Sequence, residues 1–161
     1  MTSKIKPEGY AKIRPELEQL TQEYGTDRCA MEQILHKLQE KYHRIPAEHM
    51  QILADMLGIH AVEVQDVASF FHFYNTEEKG KYIIRMCRTM PCKMAGAAVV
   101  AAQLEKKLGI KFGENTANGK FTLEWTNCIG MCDQSPAFLI NDKPYIKVKP
   151  KNIGKILREC K

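Results

Sequence analysis

Six cysteines occur in the chain, Cys29, Cys87, Cys92, Cys128, Cys132 and Cys160, and four of them fall into two close pairs. The first pair lies in Cys87-Arg88-Thr89-Met90-Pro91-Cys92 and the second, after 35 intervening residues, in Cys128-Ile129-Gly130-Met131-Cys132. Four thiolates converging on one site hold either a structural zinc ion or an iron-sulfur cluster. Zinc ribbons favour about 2 to 4 residues inside each pair, so the first spacing sits at the edge of that range and the second within it. Soft sulfur ligands do not choose between the two metals. Thioredoxin-type thiol-disulfide exchange is a third possibility, but it uses a Cys-x-x-Cys spacing that neither pair has. Cys29 and Cys160 stand apart beside apolar residues at helical spacing and read as a small buried hydrophobe or an inert surface thiol.

The elements around the pairs decide whether the sulfurs can meet. Lys81 to Met86 has the β-branched and aromatic content of a strand, and Phe121, Leu123 and Trp125 alternate with polar residues as in a half-buried strand. The segment between them predicts one helix from about Lys93 through Ala97, Val100, Ala101 and Leu104 to Leu108, ended by Gly109, followed by a polar loop from Gly113 to Gly119. Ala137 to Ile140 and Tyr145 to Val148 flank Asn-Asp-Lys-Pro as a hairpin, and Pro150 opens a helix bearing Ile153, Ile156 and Leu157. This order, βαβ then ββα, suits a thioredoxin-like sheet flanked by helices. Cys87 and Cys128 each follow a strand. If those strands are neighbours, all four sulfurs arrive at one edge of the sheet. Gly96 and Gly130, with the small Ala95, Ala97 and Ala98, would let backbone amides approach sulfur, or equally serve tight helix-sheet packing.

The preceding residues read as helices. Ala30, Met31, Ile34, Leu35, Leu38 and Tyr42 recur at three- and four-residue spacing behind a capping Asp27. Met50, Leu53, Ala54 and Leu57 mark the next helix, between Pro46 and Gly58, and Val64, Val67 and Ala68 a short one after it. Ile13, Leu17, Leu20 and Tyr24 predict a first helix ending at Gly25, with Pro15 confining its start to the neighbourhood of Arg14. The expected class is therefore α+β: a helical bundle in residues 1–75 and a thioredoxin-like α/β domain in residues 76–161. Phe70, Phe71, Phe73 and Tyr74 crowd the junction and read as core between the two parts, with a partner-facing patch as the alternative.

Composition narrows the function classes. With 161 residues, 44% hydrophobic and 27% charged, the chain can bury a core without a structural metal, so a bound metal is expected to be functional. Residues 1–80 carry 9 Lys and Arg against 13 Asp and Glu, a balance of −4, while residues 81–161 carry 15 against 6, or +9. The basic half lacks the aromatic-plus-basic strand signature of RNA modules and any helix-turn-helix reader, which argues against nucleic acid. Its longest stretch without a charged residue, Met94 to Leu104, is eleven residues, too short for the roughly 20 a membrane span needs, so no direct membrane contact is expected. The start, Met1-Thr2-Ser3-Lys4-Ile5-Lys6, shows no signal segment and points to the cytoplasm, where clustered cysteines bind metal or do redox chemistry.

The Cys-x4-Cys and Cys-x3-Cys arrangement resembles the thioredoxin-like 2Fe-2S ferredoxin family, in particular the small iron-sulfur subunit of NADH:quinone oxidoreductase and its counterparts in NAD(P)-linked multimeric hydrogenases and formate dehydrogenases. The likeness extends over nearly the whole chain. Ile34 to Tyr42, Ile45-Pro46, and Leu57-Gly58-Ile59 through Val67-Ala68-Ser69-Phe70-Phe71 look like that family's helical segment. Cys128 to Cys132, Pro136 and Ile140-Asn141-Asp142 look like its second cysteine loop and hairpin. Ser69 stands where a threonine is usual, and Asp133 occupies a position that relatives fill variably.

The resemblance implies a one-electron carrier subunit that binds a 2Fe-2S cluster through Cys87, Cys92, Cys128 and Cys132. It also implies an NAD(P)/FMN-binding flavoprotein subunit and further iron-sulfur subunits as partners. The chain has no Gly-x-Gly-x-x-Gly or P-loop of its own, and any hydride chemistry would belong to the complex. An oxidised cluster with four thiolates carries a formal charge of about −2, and about −3 after one electron, so burial needs compensating positive charge. Arg85, Arg88 and Lys93 bracket the first pair and are expected to supply it and to dock an acidic partner, while Asp133 would disfavour the added electron. The rival reading is an interaction module built on a four-cysteine zinc site with no redox role.

Overall fold

The computed structural model describes residues 7–160, and the amino-terminal reading from Met1 to Lys6 lies outside them. The chain divides into two compact units, with the boundary between Glu78 and Lys79.

The first unit is helical. Helices α1 (Pro7–Tyr24), α2 (Met31–Tyr42), α3 (Ala47–Leu57) and α4 (Ala61–Phe70) enclose a core in which Leu17, Ile34, Leu35, Leu38, Ile45, Ile52, Leu53 and Val64 are fully buried. Asp27 does cap, accepting from the N–H groups of Cys29 and Ala30, and so turns the chain into α2. Helix α1 begins at Pro7 rather than near Arg14, with Pro15 inside it. Proline removes one helical donor, and here both Pro15 and Ala11, whose carbonyl loses that partner, are on the exposed face where water can replace it. Asn75 closes the unit: its N–H donates to Gln39 Oε1 (3.1 Å), its amide to the His43 carbonyl (3.0 Å), and its carbonyl accepts from the Ile45 N–H (2.7 Å). His49 is buried against Tyr42, ring centroids 4.8 Å apart, and neither ring nitrogen has a hydrogen-bond partner.

The second unit is a four-stranded sheet in the order β2-β1-β3-β4, from β1 (Tyr82–Cys87), β2 (Phe121–Thr126), β3 (Phe138–Ile140) and β4 (Lys143–Tyr145). Strands β1 and β2 are parallel, with Cys87 opposite Thr126, whereas β1–β3 and β3–β4 are antiparallel. Ile84, Met86, Leu123 and Phe138 from the sheet meet Leu104 and Ile153 from α6 (Ala97–Leu108) and α7 (Ile153–Glu159) in a fully buried core. This is the α+β arrangement expected.

Three local expectations change. The helix expected from Lys93 is two: α5 (Met90–Met94) ends at Ala95, and Gly96 at φ 90° starts α6 in a new direction. The hairpin is tighter, because Asn141, at φ 51°, still pairs with β1 through both its backbone and its side chain, so only Asn141 and Asp142 form the turn. Pro144, which lacks an N–H, is tolerated because β4 is the edge strand. Residues Lys147 and Val148, expected in that strand, instead donate to the carbonyls of Gln134 and Pro136. Among the described residues, no helix is long and apolar enough to cross a membrane.

Candidate metal centre

Parallel pairing of β1 and β2 carries both cysteine loops to one end of the sheet. Cys87 is locked where β1 stops: its N–H donates to the Ala137 carbonyl (3.3 Å) on one side, and the next N–H, of Arg88, donates to the Thr126 carbonyl (3.1 Å) on the other. Thr89 is the N-cap of α5, whose third residue is the buried Cys92. Cys128 leaves β2 two residues beyond Thr126, and Cys132 opens a short 3-10 turn through Gln134.

The four sulfurs form a buried pair and an exposed pair. Cys128 Sγ and Cys132 Sγ are 3.2 Å apart, and the Gly130 N–H points at Cys128 Sγ (3.4 Å). Gly130 is at φ 78°, and an added Cβ would meet nothing, so glycine is needed here for its backbone conformation and not for space. Gly96 shows the same open surroundings, so its role is to break the helix. In the buried pair, Cys87 Sγ lies 3.1 Å from Thr89 Oγ1, and Cys92 Sγ 3.4 Å from Ser135 Oγ.

The two pairs sense one another. Burial pushes the Cys87 thiol up, but the Thr89 hydroxyl and N–H, the Cys92 side chain and the Ile129 N–H outweigh it and hold the group below its ordinary value. Cys132 is pushed up by its hydrogen bond with Cys128, then by burial, then by the charges of Cys128, Cys87 and Cys92. Among the described residues no three His, Cys, Asp or Glu side chains are drawn close enough to hold a metal ion. An all-sulfur donor set in two pairs, with amides and hydroxyls directed at the sulfurs, fits an iron-sulfur cluster, which Cys87, Cys92, Cys128 and Cys132 would hold.

The charged neighbours differ from expectation in one case. Arg85 is buried on β1 with Nε 3.4 Å from Glu124 Oε2, while Lys79 Nζ is 2.9 Å from Oε1 of the same carboxylate. Its charge is therefore engaged inside the sheet unit and is not presented to a partner. Arg88 and Lys93 are exposed, and so is Asp133, whose carboxylate accepts from Gln134 Nε2 (2.6 Å). Within the aromatic cluster Phe70, Phe71 and Phe73 are 80%, 41% and 46% exposed, and of the four only Tyr74 is buried. Cys29 is exposed and Cys160 buried, its thiol directed at the Ile156 carbonyl (3.7 Å). Two residues touching the sulfurs escaped the sequence reading. Thr89 stands between two candidate ligands at a cap position, a signal that was available. Ser135 reaches Cys92 across 43 residues of chain, which no local pattern reports.

A model of the thioredoxin-like [2Fe-2S] ferredoxin family matches residues 17–161. The chain is 35% identical over 134 residues to a subunit of the NADH-quinone oxidoreductase of Aquifex aeolicus, covering 83% of this chain and 84% of that one. It is 34% identical over 142 residues to the alpha subunit of the NAD-reducing hydrogenase HoxS of Cupriavidus necator, covering 88% of this chain but only 24% of the hydrogenase subunit. The chain thus spans about a quarter of that relative's length. Among solved structures, an air-oxidised NAD+-reducing [NiFe]-hydrogenase superposes with a TM-score of 0.69 at 27% identity, over 78% of this chain and 22% of that one. Sequence match and fold agree, and the chain belongs to the thioredoxin-like [2Fe-2S] ferredoxin family, whose cofactor is a [2Fe-2S] cluster.

Proposed function

We propose that this chain is a one-electron carrier subunit of a multisubunit NAD(P)-linked oxidoreductase, with Cys87, Cys92, Cys128 and Cys132 as its cluster ligands. The observation that carries the reading is the parallel pairing of β1 and β2, which brings both cysteine loops to one end of the sheet. When bound, the cluster supplies one-electron transfer without proton or group chemistry. The chain's own residues do the rest. Cys87 and Cys92 hold the buried side, Cys128 and Cys132 the solvent side, and the amides of Ile129 and Gly130 stabilise thiolate charge.

The relatives are named as subunits of NADH-quinone oxidoreductase and of an NAD-reducing hydrogenase, which supports a hetero-oligomeric setting. In that setting a separate NAD(P)/FMN-binding flavoprotein exchanges electrons with this chain, and further iron-sulfur subunits continue the path. The exposed Arg88 and Lys93 give the cluster face a positive rim suited to an acidic partner. We assign cluster binding to residues 76–161, a docking role to residues 1–75, and a cytoplasmic location to the assembly.

An absorption spectrum of anaerobically purified protein tests the reading. A red-brown chromophore that bleaches on reduction is the expected result, and a colourless protein with stoichiometric zinc would refute it. Replacing any of Cys87, Cys92, Cys128 or Cys132 by Ala should abolish most of the iron and the paramagnetic signal of the reduced state, while Cys29→Ala and Cys160→Ala keep both. Full retention in Cys128→Ala, or loss in Cys29→Ala, would overturn the ligand set.

A further inference from the structure

We propose that Thr89 is a positioning residue for electron transfer, its hydroxyl donating a hydrogen bond to the Cys87 sulfur and thereby favouring the reduced cluster. The inference rests on Cys87 being a ligand. Two independent features of the structure carry it.

The first is the contact itself, 3.1 Å from Thr89 Oγ1 to Cys87 Sγ. A ligating cysteine has lost its proton, so in the loaded protein only the hydroxyl can donate across this pair. The second is what the hydroxyl does not do. Thr89 is the N-cap of α5, a position where a threonine hydroxyl ordinarily accepts from the N–H of the second or third helical residue. No side-chain cap bond is made here. The second helical residue is Pro91, which has no N–H to offer, and the third is Cys92. The hydroxyl is thus relieved of half its usual capping partners and turned back onto the sulfur two residues before it. Ser135 is the weaker candidate for the same role at Cys92: its contact is longer, at 3.4 Å, and its single proton already goes to the Cys132 carbonyl at 2.9 Å.

Adding one electron raises the negative charge shared by the ligand sulfurs, and a donor fixed on one of them bonds more strongly to the reduced form than to the oxidised. The Thr89 proton stays on its oxygen throughout, and the electron comes from the external reductant. Removing the hydroxyl therefore shifts the one-electron equilibrium toward the oxidised state.

The test is a mediated dithionite titration of the full chain, followed by the cluster's absorption and its reduced paramagnetic signal, on wild type, Thr89→Val and Thr89→Ser. Thr89→Val, close to threonine in shape, should lower the reduced-to-oxidised ratio at a given potential by up to about tenfold, equivalent to a downward shift of up to ~59 mV for a one-electron couple. Thr89→Ser should restore the wild-type value. A Thr89→Val equilibrium within about twofold of wild type, or a Thr89→Ser shift as large as that of Thr89→Val, overturns the proposal. Failure of either variant to take up iron also overturns it, because the hydroxyl would then serve assembly and not the electron equilibrium. Absence of a cluster from wild type would instead refute the ligand assignment on which the inference stands.

Discussion

Lowering the pH from neutrality should weaken the helical unit through His49. The side chain is 5% exposed, packs at a tilt against the Tyr42 ring with centroids 4.8 Å apart, and neither nitrogen has a hydrogen-bond partner among the described residues. Burial holds its pKa below the ordinary value of about 6.5; the charges of Glu16 and Glu48 oppose this, and that of Lys41 adds to it. In the unfolded chain the imidazole takes a proton near pH 6.5, and in the folded chain only further down, so the unfolded state binds more protons in that window. Stability is therefore present in full above about pH 6.5 and is lost as the pH falls from there toward the folded pKa, at up to ~1.4 kcal/mol per pH unit. The other four histidines, His36, His43, His60 and His72, are exposed. Glu16 acts in a separate window: burial raises its pKa, but the Tyr42 hydroxyl and Lys41 outweigh burial and lower it, so its contribution is lost only as the pH falls below about 4.5. Urea unfolding followed by far-ultraviolet circular dichroism at pH 7.5 and 5.5 isolates the histidine window. Wild type should lose roughly 1 kcal/mol between the two. His49→Phe, which keeps the ring packing and removes two unpartnered buried nitrogens, should be about 1 to 3 kcal/mol more stable at pH 7.5 and flat across this interval. Equal losses in wild type and His49→Phe, or no loss in wild type, would refute the reasoning.

Gly80→Ala should destabilise the sheet unit by about 2 to 3 kcal/mol in a denaturant titration, because the added Cβ would fall 2.7 Å from the Phe121 carbonyl carbon and 2.8 Å from its nitrogen, backbone atoms that cannot yield. Asp133→Asn should raise the cluster potential, by less than ~59 mV, since the carboxylate is exposed and already engaged by Gln134; an unchanged or lowered potential in a redox titration with occupancy verified would show that the side chain points into solvent and does not tune the cluster. A fragment of residues 79–161 should bind iron with the stoichiometry of the full chain, whereas its affinity for the proposed flavoprotein partner, measured by titration, should fall; equal affinity would deny the helical unit a docking role.

Much of this protein was legible in the sequence because the informative signals are local. Ile34, Leu35 and Leu38 at helical spacing, the cap at Asp27 and the left-handed stop at Gly58 are determined within a few residues of themselves, and the structure has them in those roles. The strands into Cys87 and Cys128 were equally plain, and a strand-helix-strand order makes parallel neighbours the natural result. Where local rules failed, a longer-range interaction outweighed them. Pro15 did not confine the start of α1 to the neighbourhood of Arg14, since its lost hydrogen bond faces water. Arg85, basic and next to a cysteine strand, is held by Glu124 because the parallel register places the two opposite each other. Phe70, Phe71 and Phe73 have the composition of a core yet are exposed, and hydrophobicity alone carries no instruction about which apolar residues find a neighbour. The four sulfurs show the same division. Their identity and spacing belong to the chain as written, and so does the chemistry of a thiolate site. Which hydroxyls and amides surround them was decided by tertiary structure, because Ser135 and Ile129 reach the first pair from the second loop only after β1 and β2 lie side by side.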